Sequence, residues 1–468
     1  MQFDISRFRL WIRHLVAITG QPVRDMAAVS LPQFVKALTG FVTSVWLTRG
    51  LGPAGLGQYA LVLSVSDSVV GLSDLGIGQT AIRYSSLAWS RGELSRQAAV
   101  LRWAFRTRLT LVAFMVTVLY LAAPFLSSVV WHLQGLTSLI RIALLISVFG
   151  TLASVPIVYY QSLRRFEMNA IVQICQNLTS FLGIALLALL GLWSVPLVVA
   201  VTAIAAGVGA VIFLYLVPRE IWWPRITTRV RPAIRWEAIW RIPRLEGGMQ
   251  GNLDPTSADR FAVYLFLSTL IVLITLRLDI WLMGVYLDDR QIGLYNAATR
   301  LSLPLTVILG ALTTALWPRV STVTTVAGVR TLLRRTMKAS VVIAAGGLVY
   351  ALTVPFLVPV FFGPAYRDSM VLTQLVSIGY CVGLLANPVT VVGYSLGLAR
   401  FYWITNLIQF AVVTVLLVLL LPRFGALAAA FTFIANAATG ALINGFVLWM
   451  KTRQLPRDFD NDAPSDSH

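Results

Sequence analysis

The sequence predicts an all-α polytopic membrane protein, with about twelve transmembrane helices in two parallel six-helix repeats around a central cavity. Three observations carry this expectation. The 468-residue chain is 57% hydrophobic and only 12% charged, too few charges to clothe globular cores of that size. Apolar runs of roughly twenty residues, the length that crosses a bilayer, recur from end to end. The pattern L-x5-G-x-Y occurs twice, as Leu51, Gly57, Tyr59 and as Leu287, Gly293, Tyr295, at a constant offset of 236 residues. That offset is close to half the chain, as a gene duplication would leave it. Six intervening crossings give both copies the same orientation, so the repeats are parallel.

Residues 1–26 place Arg7, Arg9 and Arg13 among Phe8, Leu10, Trp11 and Ile12. They read as an amphipathic helix on the cytoplasmic face, without the apolar core and cleavage site of a signal peptide. The N-lobe, 27–217, holds spans at 27–49, 57–82, 109–131, 136–161, 170–191 and 195–217. A basic cytoplasmic linker, 218–260, ends in the turn-rich EGGMQGNLDPTSAD. The C-lobe, 261–450, holds spans at 261–287, 292–317, 338–362, 370–398, 401–421 and 424–450. The tail, 451–468, carries the acidic DFDNDAPSDSH and reads as disordered. Pro32, Pro156, Pro304 and Pro388 fall inside spans and mark kink positions.

A net charge of +18 is a common footprint of nucleic-acid binding, but here the cations lie between apolar runs. With the N-terminus inside, 29 of the 37 Lys and Arg fall in cytoplasmic segments. Outer loops hold only Arg49, Arg290, Arg367 and Arg423. This is the positive-inside bias, with both termini cytoplasmic and no nucleic-acid partner. Cys175 and Cys381 lie in apolar runs without ligand spacing, and His14, His132 and His468 are scattered, so no disulfide, metal site or catalytic triad is expected. The outer loops are too short to house soluble chemistry.

The informative residues are charges inside spans. Asp67 and Asp74 are seven residues apart, hence on one helical face with Ser64, Gly71 and Gly78. Lys36, at similar depth in the first span, forms a polar stripe with Gln33, Gly40 and Thr43 and is a candidate partner for Asp67. Arg277 and Asp279 lie in the seventh span, pointing in nearly opposite directions, so one of them bridges to a neighbour or snorkels. Asn296 and Arg300 lie one turn apart in the eighth. Arg141 reads as an interfacial snorkeller. Two readings stand: interhelical ion pairs that hold the bundle, or the walls of a wet cavity.

The stretch WLTRGLGPAGLGQYALVLSVSDSVVGLSDLGIGQTAIRYSS resembles the first two helices of the polysaccharide-export, or O-antigen, flippases (Wzx-like, in the MATE/MOP superfamily). LRLDIWLMGVYLDDRQIGLYNAATRLSLPL is similar to that family's helix 7–8 segment, and VPVFFGPAYRDSMVLTQL and LPRFGALAAAFTFIANAATG resemble its later loops and last helix. The resemblance implies two six-helix lobes and a polyprenyl-pyrophosphate-linked oligosaccharide as cargo, flipped across a bacterial inner membrane by alternating access. The long basic linker is less typical of the family. Arg83, Arg277, Asp279 and Arg300 fall in matching segments, where basic residues are thought to meet pyrophosphate or acidic sugars. The expected substrate-binding set is Lys36, Arg83, Arg277, Asn296 and Arg300, with Asp67, Asp74 and Asp279 as coupling or ion-pair residues. Coupling to H+ or Na+ is compatible with those carboxylates, and no other cofactor is implied. Expected partners are the lipid-linked oligosaccharide, membrane lipids, a polysaccharide polymerase and glycosyltransferases. A cation-coupled multidrug or small-molecule exporter of the same superfamily is the alternative. A membrane enzyme lacks an outer loop with convergent polar groups, and a scaffold leaves the buried charges unexplained.

The charge bias makes a topological prediction. Reporter fusions at Gln134, Asp289 and Tyr366 will report the outer side, and fusions at Gly92, Glu237 and Ser465 the cytoplasm. Reversal at any two of these positions would break the twelve-span arrangement.

Overall fold

The computed structural model describes residues 20–133, 135–163, 165–217, 255–321, 326–395 and 399–454. Most of the expected N-terminal amphipathic helix, linker and tail therefore lies outside the described residues. Among the described residues all regular structure is helical. Ten helices are long and apolar enough to cross a bilayer, or eleven when a pair bent by 49° counts as one crossing.

The first helix, Gly20–Asp74, is broken at Gly52 with φ 66° and ψ 175°. Only glycine occupies that region without strain. Pro53 follows, where a missing amide costs a helix start nothing. The break divides the element into α1 (20–51) and α2 (53–74), so the expected loop LGPAGLGQY is mostly the first turns of α2. The tripeptide Gly-Pro-Ala recurs at 363–365 and turns the chain the same way: Gly363 has φ 91° and ψ 174° and Pro364 opens the next helical turn. A second break, at Leu75 (φ 34°) and Gly76 (φ 84°), ends α2 where one continuous span to residue 82 was expected. Asp74 thus closes a helix instead of lying within one.

The other elements are α3 (Ile77–Ser90), α4 (Leu94–Phe125, continued by a π turn to Val130), α5 (Leu136–Ser162), α6 (Phe166–Leu190) and α7 (Val195–Leu216). They continue with α8 (Pro255–Tyr286), α9 (Asp289–Leu301), α10 (Leu303–Ser321), α11 (Val326–Phe362), α12 (Ser369–Ser395), α13 (Ala399–Phe424) and α14 (Ala426–Gln454). The 49° bend separates α9 from α10, beside Pro304, which has no amide to continue the ladder.

The chain divides into two compact units that do not follow sequence halves. The first comprises residues 1–50, 76–122 and 138–227. Its core joins Ala81, Leu101, Ala104, Val158, Tyr160 and Val217, and the Tyr160 hydroxyl donates to the Leu216 carbonyl at 2.7 Å. Trp46 of α1 stacks on Phe181 of α6 at 5.2 Å. Gly183 against Val201, and Gly207 against Phe149, let helices approach where any Cβ would crowd the facing side chain.

The second unit comprises 51–75, 123–137 and 228–468, so α2 belongs with the helices of the C-terminal half. There α12 packs on both α11 and α14. Hydroxyl and amide pairs join its helices, as between Ser302 and Ser377 at 3.0 Å and from Asn387 to Thr313 at 2.7 Å. Such bonds are useful where no water competes for polar groups.

Candidate functional site

Five of the expected site residues (Asp67, Arg277, Asp279, Asn296 and Arg300) lie together in the second unit, on α2, α8 and α9. The small-residue stripe of α2 is the seam on which α8 lies antiparallel. Leu61 meets Gly284, the Ser64 hydroxyl accepts from the Trp281 indole at 3.1 Å, and Gly71 meets Leu273. In the middle of this ladder the Arg277 guanidinium donates to the Asp67 carboxylate at 2.8 Å. Their side chains are 37% and 49% exposed, so the pair borders space not filled by protein. A charged pair so placed in a span is costly against hydrocarbon. The partner of Asp67 here is thus Arg277. The side chain of Lys36, the partner expected from depth, lies outside the described residues.

Arg277 and Asp279 diverge, as their spacing requires. Asp279 turns to α9, accepting from the Tyr295 hydroxyl at 2.9 Å and from the Ile280 amide at 2.8 Å. Arg300 sits in the last turn of α9, where the negative end of the helix dipole favours a cation. Its Nε donates to the Asn296 side chain at 2.8 Å, and its guanidinium lies 5.9 Å from the Tyr59 ring centroid. Close by, Tyr366 is 1% exposed. Burial pushes its phenol above the ordinary range, and the charge of Arg300 pulls it back.

The two copies of L-x5-G-x-Y meet each other. A Cβ on Gly57 would collide with the Asp289 carbonyl and the Gly293 amide. One on Gly293 would collide with the Pro53 carbonyl and the Gly57 amide. Positions 53 and 57 are thus matched reciprocally by 289 and 293, at the 236-residue offset read from sequence. Leu56 and Ile292, also 236 apart, are both 0% exposed, and Gln58 donates to the Asp289 carboxylate. Such reciprocity is what an isologous contact between repeats requires.

The remaining expected residues are elsewhere. Arg83 is exposed on α3 of the first unit. Asp74 is half-buried at the end of α2. Arg141, in the first unit, lies over Tyr120 at 4.5 Å. Trp281 and Tyr366 were not foreseen. Trp281 could have been found one turn after Arg277, but an isolated aromatic in an apolar span carries no signal of its partner.

No curated protein matches the chain by sequence. Two family models, each described as polysaccharide biosynthesis protein, match residues 23–236 and 248–371. Among solved structures the chain is similar to an inward-facing multidrug resistance MATE family transporter of the MOP superfamily. Identity there is 12%, with 94% of this chain and 99% of that one covered and a TM-score of 0.65. It is also similar to the lipid II flippase MurJ in an inward closed conformation, at 13% identity, 92% and 88% coverage and TM-score 0.66. A MOP superfamily transporter from Pyrococcus furiosus, described as having a binding pocket of reverse polarity, matches at 12% identity, 93% and 96% coverage and TM-score 0.55. At these identities the likeness is one of fold.

Two measurements check this geometry. Gly57→Ala and Gly293→Ala each press a methyl group on rigid backbone, so each will cost about 1–3 kcal/mol in detergent unfolding. Because they break one contact, the double variant will fall well short of the sum; full additivity would separate the two glycines. For the half-exposed Asp67–Arg277 pair, a double-mutant cycle with Asp67→Asn and Arg277→Gln will give a favourable coupling of about 0.2–1 kcal/mol. A zero coupling would leave the pair without energetic weight.

Proposed function

We propose that this chain, whose residues 23–236 and 248–371 match polysaccharide biosynthesis protein models, is a Wzx-like polysaccharide-export flippase of the MOP superfamily and flips a polyprenyl-pyrophosphate-linked oligosaccharide. In this reading the protein lies in a bacterial inner membrane with both termini cytoplasmic and works by alternating access. The observation that carries it is the setting of Arg300: a guanidinium at the end of a half-helix, oriented by Asn296 and backed by Tyr59. A planar fork held in that way suits a phosphate, which it can meet bidentately.

Arg277 supplies the second cation. Its carboxylate partner Asp67 is half exposed, so a pyrophosphate arriving at this surface competes for the guanidinium. Protonation of Asp67, or a sodium ion beside it, would release Arg277 in the same way and would couple transport to an ion gradient. Asp279 is engaged by Tyr295 and holds α9 against α8. The backbone contact at Gly57 and Gly293 is the element that must part for the cargo to leave at that face. Lys36, Arg83 and Asp74 join this reading as further charged positions along the route. The polymerase and glycosyltransferases that handle the same glycan are the proposed partners. The cation-coupled exporter remains the competing reading, favoured by the carboxylates Asp67 and Asp279.

In a deletion strain complemented with variants, Arg300→Ala will abolish glycan export and accumulate lipid-linked glycan while reaching the membrane at normal levels. Arg300→Lys will restore it only in part, since a point charge cannot bind phosphate as a fork. Normal export by Arg300→Ala would overturn the assignment. Unchanged lipid-linked glycan in the deletion strain, with altered drug sensitivity, would favour the exporter.

A further inference from the structure

The 37-residue helix α11 is about 55 Å long at 1.5 Å per residue, against a hydrocarbon core of about 30 Å. Its charges lie at one end. From Ala339 to Phe362 there is no charged residue, whereas Arg330, Arg334, Arg335 and Lys338 fall in the turns before. The apolar part alone is long enough to cross the bilayer, so the earlier turns stand at the depth of the lipid headgroups.

Those turns are amphipathic, with a fixed orientation. Leu332 and Leu333 pack on a core of Leu316, Val391, Val392 and Leu448, and Thr336 and Ser340 are buried. The opposite face exposes all four cations. Together with Thr331 they line a crevice of about 250 Å³.

The arrangement is unfavourable for the helix itself. Arg330, Arg334 and Lys338 succeed one another at i, i+4, where like charges repel by a few tenths of a kcal/mol per pair. Among the described residues no carboxylate pairs with any of the four. A topological bias toward cations accounts for basic residues on this side. It does not account for stacking them on one face around a crevice.

We propose that this crevice binds the phosphate headgroup of an anionic lipid in the adjoining leaflet, the cytoplasmic one in the orientation above. The exposed guanidiniums meet the phosphate oxygens, and their apolar stems lie along the membrane surface. Two lipids offer this chemistry: bulk anionic phospholipid, and a polyprenyl pyrophosphate. Binding of the first does not depend on what is transported; only the second rests on the flippase reading.

The test titrates the purified full-length protein, in detergent, with phosphatidylglycerol, a polyprenyl pyrophosphate and zwitterionic phosphatidylcholine. The variants are R330Q/R334Q/R335Q/K338Q and the charge-conserving R330K/R334K/R335K. Each removed charge will weaken anionic-lipid binding about five-fold, so the four together cost at least about a hundred-fold. The lysine variant will stay within about ten-fold of the native chain. Loss with phosphatidylglycerol assigns the site to bulk lipid, and loss confined to the polyprenyl pyrophosphate assigns it to the carrier. Either supports the proposal. It is overturned if a folded glutamine variant binds both anionic lipids as the native chain does, if phosphatidylcholine binding falls equally, or if the lysine variant loses as much as the glutamine one. Because the readout is binding, failure here leaves the export result for Arg300 standing, and the reverse.

Discussion

At Gly57 and Gly293 two helices touch through their backbones, and much of the second unit is arranged around that approach. With no Cβ on either side, the Asp289 carbonyl faces Gly57 and the Pro53 carbonyl faces Gly293. The closeness brings Tyr59 under Arg300, while Tyr295, two residues after Gly293, reaches Asp279. Any larger residue at either glycine moves α2 off α9 and with it these contacts. The same approach lets Gln58 donate to the Asp289 carboxylate.

The α2–α8 seam works on a different principle. Leu61, Ser64, Asp67 and Gly71 meet Gly284, Trp281, Arg277 and Leu273 in antiparallel order, a glycine facing a leucine at each outer rung, and one of the four rungs is an ion pair. In hydrocarbon, apolar burial drives no association between helices, so close packing and polar contacts must do so. A half-exposed ion pair is a poor stabiliser. It is a responsive one, because a competing anion or a proton acts on it directly. The interhelical ion pair and the partly exposed charges are the same residues, Asp67 and Arg277.

Hydropathy located the crossings well and their ends poorly. The expected spans at 109–131 and 338–362 belong to helices that begin at Leu94 and Val326. The added turns carry Arg96, Arg102, Arg106 and Arg108 in one case and Arg330 to Lys338 in the other. Arginine and lysine are good helix formers, but a measure of apolarity reads them as the end of a helix. Conversely, the span expected at 57–82 is interrupted at Leu75 and Gly76, a break that composition does not reveal.

The sequence by itself determined the membrane-crossing helical class and the register of the L-x5-G-x-Y motif. It also placed Asp67, Arg277, Asp279 and Arg300 inside spans. These follow from local quantities: the length of apolar runs, a fixed offset and the helical period. Only the tertiary structure decided that Asp67 faces Arg277, that Asp279 faces Tyr295, and that α2 packs with the helices of the C-terminal half. Partners 210 residues apart, as Arg277 and Asp67 are, leave no local trace. A carboxylate of given depth is equally compatible with any cation at that depth, and the choice is made by which helix backbones can come close enough, here through glycines and serines.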